Sequence, residues 1–275
     1  MTEFQDAVWT RCWEEWRAKG DYREDLQQHL RERAPLYRLL QEGLDHPQGK
    51  RLRVLEVGCG TAIDACILAE DPRLQVVGVD RAKGAIEVGK KICSSLGRRC
   101  SLLVGDAYRL SFPDETFDLV FSQGFLEHFR DPLPLLREQV RVLKSSGCLV
   151  VDVPQKYAGL GLYSLRKQWK IRKGVWPWGW ETQYSYAELK KLGDASGLVT
   201  LETAGYGFDG MFNLLANPHV MIDKHGSLRR LWLAQAYKRF YLKHLRRANE
   251  RFWGWACRRY GHRFLICIVV RFRKK

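Results

Sequence analysis

The sequence lacks any uncharged apolar run that approaches the length of about 18 residues needed for a membrane-spanning helix. The apolar run at residues 264–270, FLICIVV, is far too short. The first residues include Glu3 and Asp6 and no apolar stretch, which is unlike a secretory signal. With 45% hydrophobic and 28% charged residues, the 275-residue chain has an ordinary globular composition. We therefore expect a cytoplasmic protein without a spanning segment.

Paired cysteine motifs are also absent. The eight cysteines form no CxxC pair and have no histidine companions at metal-binding spacing. The sequence therefore predicts neither a zinc site nor a redox dithiol, and no metal is expected. Scattered thiols of this kind are typical of small core residues in a protein of a reducing compartment.

Acidic residues are scarce in the C-terminal part of the chain. Residues 1–153 hold 22 Lys/Arg against 24 Asp/Glu, whereas residues 154–275 hold 24 against 7. The last 52 residues contain 16 basic groups and a single acid, Glu250. Tryptophan is also missing from residues 17–168 and abundant after them. The middle of the chain thus has the character of a neutral scaffold, and its flanks that of a recognition surface.

From residue 52 onward, short apolar runs alternate with helical patterns, which indicates βαβ units and a largely parallel sheet. Such sheets bind ligands at the carboxyl ends of their strands. The predicted strands are residues 52–57, 74–79, 101–104, 117–122, 148–153, 198–203 and 262–271. The predicted helices between them are residues 62–70, 83–96 and 133–143.

The loop after the first strand has glycines at positions 58 and 60, which permit a tight turn and close approach of a ligand. A lone GxG is weak evidence, but three acids accompany it: Glu56, Asp80 and Asp106, each at the end of a predicted strand. Asp80 follows Gly60 by twenty residues, a spacing that suits a carboxylate accepting ribose hydroxyls. A helix cap or turn is the alternative role for Asp80 and Asp106.

These acids also bear on the choice of ligand. A dinucleotide pyrophosphate favours a full GxGxxG and no nearby carboxylate, yet the third glycine position holds Ile63 and Glu56 adjoins the turn. That disfavours a nicotinamide dehydrogenase. A ligand with a ribose, an adenine and a positively charged amino-acid tail fits better, and S-adenosylmethionine has these parts.

The segments VLEVGCGTAIDA, VVGVD, VGDAYRLSFPDETFDLVFSQGFLEHFRDP and RVLKSSGCLVVDVP occur in this order within residues 51–154. As a set they resemble the class I S-adenosylmethionine-dependent methyltransferases, especially the group that includes ubiquinone/menaquinone and small-molecule methyltransferases. The chain departs from that pattern at Ala62, where many members have glycine, and at Ser145-Ser146, where Pro-Gly is common. The resemblance implies a Rossmann-like α/β fold with a mostly parallel seven-stranded sheet and helices on both faces.

The resemblance also implies roles for individual residues. Glu56, Gly58, Cys59 and Gly60 would hold the methionine end of the cofactor. Asp80 would bind the ribose hydroxyls, with Arg81 beside the adenine. Asp106 and the Ala107 backbone would recognise the adenine edge, and Ser122 and Gln123 would face the methionine carboxylate or the sulfonium.

Methyl transfer from a sulfonium mainly requires desolvation and alignment of the reactants, and a base only where the acceptor must lose a proton. Glu127 and His128 follow the fourth strand, and His128 is the candidate base. A pocket-wall role for His128 is the alternative, and we expect no obligatory acid–base group. Tyr157, Tyr184 and Tyr186 are weaker candidates.

The flanks divide the chain into a helical lid at residues 1–45 and a methyltransferase domain at residues 46–275. Within the lid, helices are predicted at residues 3–18 and 22–43; helices that simply pack on the sheet are the alternative. The domain contains a basic, tryptophan-rich insertion at residues 154–197, expected on the acceptor side, and a helical insertion at residues 210–258 before the last strand. Residues 228–255 predict an amphipathic helix. Its predicted apolar face comprises Leu233, Tyr237, Phe240, Tyr241, Leu245, Ala248 and Phe252, and its basic face comprises Arg239, Lys243, Arg246 and Arg247.

This basic, aromatic surface leaves several interpretations open. It suits a peripheral membrane helix on anionic lipid, with a lipid-like acceptor, which would place the protein at the inner face of a membrane. It also suits RNA, although no RNA-binding module is recognisable. A soluble small-molecule acceptor with a merely solvated basic face is the third interpretation. A cofactor-binding scaffold without turnover is a non-enzymatic alternative.

Overall fold

The computed structural model describes Trp13, residues 22–44, 51–207, His219, Ile222 and 232–275 of the chain. In the described part, seven strands form one sheet in the order β3-β2-β1-β4-β5-β7-β6. The strands are β1 (Leu52–Val57), β2 (Leu74–Asp80), β3 (Cys100–Val104), β4 (Phe117–Gln123), β5 (Leu143–Pro154), β6 (Leu198–Tyr206) and β7 (Cys267–Lys274). Pairing is parallel from β3 to β5, and β7 runs antiparallel to both of its neighbours. The predicted α/β architecture is confirmed.

Helices cover both faces of the sheet. They are α1 (Arg23–Glu32), α2 (Ala34–Gly43), α3 (Ile63–Leu68), α4 (Lys83–Ser95), α5 (Leu133–Val142), α6 (Leu162–Arg172), α7 (Tyr186–Ala195), α8 (Trp232–Phe240) and α9 (Arg246–Phe264). Short turns of other helix types lie at Leu126–His128, Ala158–Gly161 and Tyr241–Leu245. One buried apolar cluster joins α1 to α4 to one sheet face, and a second joins α5 and α7 to the other.

Successive side chains of a strand point to opposite faces of the sheet, so apolar strands make both sheet faces apolar. In β1, Val54 belongs to one cluster, whereas Leu55 and Val57 belong to the other. Central parallel strands read as continuous apolar runs because each face is covered by helices. Strand order reverses between β1 and β4, so a crevice opens there at the carboxyl ends of the strands.

Several predicted boundaries were wrong. Strand β5 begins at Leu143 rather than at residue 148, because Leu143 already pairs with Phe117 before a register shift in the ladder. Strand β7 begins at Cys267 rather than at residue 262, because residues 262–264 complete the last turn of α9. Helix α3 begins at Ile63, one residue later than predicted, since Ala62 has a left-handed backbone conformation with φ 56°. It ends at Leu68 rather than at residue 70.

The predicted helix at residues 22–43 is two helices that meet at Arg33. Pro35 lies in the first turn of α2, where a missing amide proton costs nothing. Leu36, Leu39 and Leu40 of this helix are fully buried against the sheet. Helix α2 is therefore part of the helical layer, and the predicted helix at residues 3–18 lies outside the described residues except for Trp13.

The predicted amphipathic helix at residues 228–255 is interrupted. Residues 228–231 lie outside the described part, and α8 and α9 are joined through a π-helical turn at Tyr241–Leu245. Helix α9 packs on β6, where a side chain on Gly205 would lie 2.4 Å from the carbonyl oxygen of Gly261. This close approach fixes the C-terminal half of α9 at the edge of the sheet.

Candidate functional site

A cavity of about 1340 Å³ lies at the carboxyl ends of β1 to β4. Ten of the eleven residues predicted for the site line it: Glu56, Gly58, Cys59, Gly60, Asp80, Arg81, Asp106, Ala107, Gln123 and His128. Ser122 does not; it is 1% exposed and lies outside the lining. Adjacent strand residues point to opposite faces, so the turn of Gln123 toward the cavity directs Ser122 away from it.

The glycine turn after β1 has the backbone conformation that its sequence predicts. Gly58 and Gly60 have φ values of 72° and 53°, in the left-handed region where a side chain is disfavoured. A Cβ atom on Gly58 would lie 2.2 Å from the Phe125 ring, and one on Gly60 would lie 2.9 Å from Trp13. The turn is therefore packed between two aromatic rings as well as being conformationally strained for other residues.

Asp80 ties this turn to the end of β2. Its two carboxylate oxygens accept the amide protons of Gly60 and Ala82, each at 2.8 Å. Burial raises the pKa of Asp80. A carboxylate oxygen has a second lone pair, so the same group can still accept a ligand hydroxyl. The turn role and the ligand role proposed for Asp80 are thus compatible.

Asp106 and Glu56 also contact backbone amides. Asp106 accepts the Tyr108 amide proton at 2.9 Å in an exposed turn. Glu56 is buried beneath the glycine turn and accepts the Ala65 amide proton at 2.9 Å, which satisfies a donor in the first turn of α3. Burial and the neighbouring Asp64 raise the pKa of Glu56.

A polar cluster on the α1–α2 side of the cavity was not predicted from the sequence. Arg33 donates to Asp64 at 2.9 Å and to Gln123 at 3.0 Å, and the Tyr37 hydroxyl donates to the other Asp64 oxygen. Arg33 and Asp64 both line the cavity. The available sequence signal was a carboxylate inside the apolar segment IDACIL, because a buried acid requires a partner.

A second buried acid lies behind Gln123. Asp152 of β5 is fully buried and accepts a hydrogen bond from the Tyr206 hydroxyl at the end of β6. Burial raises the pKa of Asp152 to about 7. This acid joins the cavity wall to the antiparallel edge of the sheet.

The opposite wall is built from the turn after β4 and from the tryptophan-rich insertion. Glu127 and His128 are buried in that turn, and Trp178 and Glu181 from the insertion line the same cavity. Two residues of the insertion thus contribute to the cavity wall. Burial lowers the pKa of His128, whose Nδ1 lies 3.4 Å from the Trp180 carbonyl oxygen.

Glu181 was not among the predicted site residues, and Lys167 belongs to the predicted basic insertion at residues 154–197. Lys167 is 4% exposed and forms an ion pair with Glu181. Its ammonium lies 4.9 Å from the centroid of the Trp176 ring, and the Trp176 indole donates to Glu181 at 3.1 Å. Lys167 is therefore a buried cation whose partner, Glu181, belongs to the cavity wall. The tyrosines weighed as bases, Tyr157, Tyr184 and Tyr186, do not line the cavity.

The described lining is rich in acids. It contains Glu56, Asp64, Asp80, Asp106, Glu127 and Glu181, against the basic side chains Arg33, Arg81, His29 and His128. Such a wall favours a cationic ligand and repels a pyrophosphate. S-adenosylmethionine carries a sulfonium and an ammonium against one carboxylate, so the residues present fit it. In the described part of the chain, no group of three or more His, Cys, Asp or Glu could hold a metal ion.

The surface beside the insertion exposes many apolar side chains. At the start of α8, Trp232 is 72% exposed and Leu233 is 74% exposed. The predicted apolar face is therefore mostly uncovered, although Tyr241 is buried. Other exposed apolar residues of the insertion and of the C-terminal helices are Leu160, Leu162, Leu165, Trp169, Tyr237, Phe240, Leu245, Phe252 and Trp255. No helix in the described ranges is long and apolar enough to cross a membrane.

Comparison with known proteins assigns residues 55–151 to the family described as Methyltransferase domain. Ajmaline N-methyltransferase of Rauvolfia serpentina is 32% identical over 43% of this chain and 44% of its own length. Demethylmenaquinone methyltransferase of Listeria monocytogenes is 36% identical over 38% of this chain and 46% of its own length. The chain thus matches less than half the length of these relatives.

A solved structure from Galdieria sulphuraria, named for sarcosine and dimethylglycine methylation, covers 98% of both chains with a TM-score of 0.61 and 19% identity. At this identity the likeness establishes the fold. The whole-chain match extends that fold beyond residues 55–151 to the flanking helices and the last two strands.

Proposed function

We propose that this chain is a class I S-adenosylmethionine-dependent methyltransferase and that it transfers the methyl group to a small-molecule or lipid-like acceptor. The match of residues 55–151 to the methyltransferase domain family supports the first part of the proposal. The observation that carries the proposal is the acid-rich cavity, in which the glycine turn, Asp80 and Asp106 meet at adjacent strand ends. In this proposal the N-terminal segment, residues 1–45, contributes Trp13, His29 and Arg33 to the cavity wall.

Each part of the cofactor has a candidate partner in the wall. Asp80 accepts the ribose hydroxyls, Asp106 and the Ala107 amide bind the adenine edge, and Arg81 flanks the base. Arg33, with Gln123 beside it, is the cation available to the methionine carboxylate. S-adenosylmethionine, when bound, supplies an electrophilic methyl group on a sulfonium.

The chain contributes mainly exclusion of water and alignment. Phe125 packs on the glycine turn, and Trp13 and Trp178 line the cavity from opposite flanks. An in-line displacement gains rate when the reacting atoms are held in position and desolvated. His128, kept neutral by burial, serves as a wall residue in this proposal.

Calorimetric titration tests the cofactor. We expect S-adenosylhomocysteine to bind with a Kd on the order of micromolar, about −8 kcal/mol, and NAD to show no binding at the same concentration. The acid-rich wall is the reason for the difference, because it repels the pyrophosphate. Binding of NAD in preference to S-adenosylhomocysteine would contradict the proposal.

The acceptor side favours a lipid-like molecule reached at an anionic membrane surface. Exposed apolar side chains on α6, α8 and α9 lie among basic residues that include Arg166, Lys173, Arg239 and Arg246. Helix α9 packs against the turn Ala158–Gly161 that leads into α6, so the two exposed groups are neighbours. Interfacial aromatics with Lys/Arg are what a helix lying on anionic lipid requires.

Co-sedimentation with vesicles tests this surface. We expect the chain to bind vesicles with anionic lipid and to bind neutral vesicles much more weakly, with attraction that falls as salt is added. The double variant Trp232→Glu/Leu233→Asp should weaken vesicle binding by at least about tenfold, because each apolar side chain is worth about 1.5–3 kcal/mol when buried.

Leu103→Asp is the matched control for the vesicle experiment. Leu103 is 44% exposed, and it lies on β3 at the opposite edge of the sheet from β6. This variant should bind vesicles like the unmodified chain. Equal binding by the Trp232→Glu/Leu233→Asp variant, or salt-sensitive binding to RNA with none to vesicles, would contradict the membrane proposal.

A further inference from the structure

We propose that Glu127, assisted by Glu181, binds a nitrogen of the methyl acceptor, so that the acceptor is an amine. The inference rests on the proposed methyltransferase function and specifies the chemistry of its acceptor. Both carboxylates line the cavity on the side formed by the turn after β4 and the tryptophan-rich insertion.

Glu127 is a buried acid with unused hydrogen-bonding capacity. Glu127 is 3% exposed, and its Oε2 atom has no hydrogen-bond partner among the residues that the structure describes. Leaving a carboxylate oxygen buried without a donor is costly, and such groups in native proteins call for an explanation. A donor on a bound ligand supplies the missing hydrogen bond, since Glu127 faces the cavity.

The charges around Glu127 leave it without a matching cation. Lys167 is nearby, but its ammonium is paired with Glu181 and held beside the Trp176 ring. Asp152 adds a further acid behind the wall. Burial and the Glu181 carboxylate raise the pKa of Glu127. An unpaired carboxylate is therefore disfavoured at Glu127, and a bound ammonium group supplies the positive charge that Lys167, paired with Glu181, does not. A phenolate or a carboxylate would add a further negative charge beside these acids.

Aromatic rings complete the environment. Phe125 and Phe129 line the cavity, and their ring centroids are 4.9 Å apart. The ring centroids of Tyr108 and Phe129 are 5.8 Å apart. Trp178 lines the same cavity. Aromatic faces attract alkylammonium groups, and they provide an apolar contact for the carbon atoms bonded to nitrogen. The cavity thus combines the Glu127 carboxyl group with aromatic rings in one lining, and this combination suits an amine.

Methylation of an amine requires that the protonated nitrogen first lose a proton, and Glu127 is the group that accepts it in this proposal. An ammonium has no lone pair, so it first gives one N–H proton to the Glu127 carboxylate and becomes a neutral amine. The nitrogen lone pair then forms the N–C bond to the methyl carbon while the C–S bond breaks, and that electron pair stays on sulfur. The product carries the positive charge as an N-methylammonium, and Glu127 returns its proton to water. This role of Glu127 departs from the expectation that no acid–base group is obligatory, and His128 stays a wall residue.

The test measures binding to the full chain saturated with S-adenosylhomocysteine, using N-methyloctylamine and 1-octanol as matched probes. We expect the amine to bind at least about tenfold more tightly than the alcohol, and the Glu127→Gln variant to lose that preference. Equal affinity for the two probes in the unmodified chain, or an unchanged preference in Glu127→Gln, would overturn the proposal.

Two further readouts separate an acceptor role from a structural one. Glu127→Gln should keep the affinity for S-adenosylhomocysteine and should unfold at a temperature no lower than the unmodified chain, because the buried unpartnered charge is gone. Glu181→Gln is the second variant and should reduce the amine preference, and Glu24→Gln, on the exposed part of α1, is the control. If S-adenosylhomocysteine does not bind the unmodified chain, the proposed function fails; if it binds and the amine preference is absent, only the acceptor assignment fails.

Discussion

Asp80→Ala is expected to lower the affinity for S-adenosylhomocysteine by at least about 100-fold, which corresponds to about 2.7 kcal/mol. The substitution removes the acceptor proposed for the ribose hydroxyls. It also leaves the Gly60 and Ala82 amide protons without the carboxylate that accepts them at 2.8 Å. Because Gly60 belongs to the turn that contacts the ligand, both losses act on the same binding site. Isothermal titration calorimetry measures the effect directly.

Two companion variants make the Asp80 experiment specific. Asp71→Ala removes an acid that pairs with Arg73 on the surface after α3, outside the cavity lining, and should leave the affinity unchanged. Asp80→Asn retains an acceptor oxygen and should show an intermediate loss. A folded Asp80→Ala protein that binds S-adenosylhomocysteine as tightly as the unmodified chain would show that Asp80 has only its turn role.

Lys167→Met is expected to lower the free energy of unfolding by about 3–5 kcal/mol, because it breaks a buried ion pair by removing one partner. Lys167 and Glu181 are both almost fully buried, and the substitution would leave Glu181 uncompensated near the Glu127 carboxylate. The Trp176 ring would also lose the ammonium at 4.9 Å. Urea unfolding followed by tryptophan fluorescence measures the change.

The double variant Lys167→Met/Glu181→Gln should recover most of that loss, since it removes both charges from the wall together. The control is Lys190→Met, which breaks an exposed pair with Asp194 and should cost less than about 1 kcal/mol. If Lys167→Met were no more destabilising than Lys190→Met, the pair would have to be solvated, and the insertion would not form a closed cavity wall.

The order and type of the elements between residues 51 and 154 could be predicted because each signal is local. Strand β1 matches its prediction at both ends, and α4 and α5 differ by one residue at their C-terminal ends. The glycine turn was identifiable because glycine is the residue favoured in the left-handed backbone conformation of positions 58 and 60. The boundary errors fell where pairing or packing extends an element beyond its local pattern, as at Leu143, which pairs with Phe117.

The position of several candidate site residues at the strand ends could be predicted from equally local signals. Asp80 and Gln123 are the last residues of β2 and β4, and Asp106 follows β3. Parallel strands bring their carboxyl ends to one edge of the sheet. Ser122 does not line the cavity although the neighbouring Gln123 does. Successive strand residues point to opposite faces, and the sequence FDLVFSQ does not specify which of the two polar residues at its end faces the ligand. Arg33 could not be paired with Asp64 from spacing, since the two lie 31 residues apart on different elements.

The apolar side chains of the C-terminal helices show why an amphipathic pattern alone does not specify a partner. Leu233 and Tyr241 belong to the same predicted face, yet Leu233 is 74% exposed and Tyr241 only 3% exposed. The pattern established that a helix could form with an apolar side. The packing of α9 against β6 determined how much of that side the fold covers.

By itself, the sequence determined the α/β class, the glycine turn, the acids at the strand ends and the excess of positive charge after residue 154. These features arise from backbone preference and short-range periodicity, which act between residues near one another in the chain. The tertiary structure alone decided that Lys167 faces Glu181, that Arg33 joins Asp64 and Gln123, and that the Oε2 atom of Glu127 is buried without a hydrogen-bond partner among the described residues. These contacts depend on which elements the folded sheet brings together, and burial then fixes the charge environment of the site.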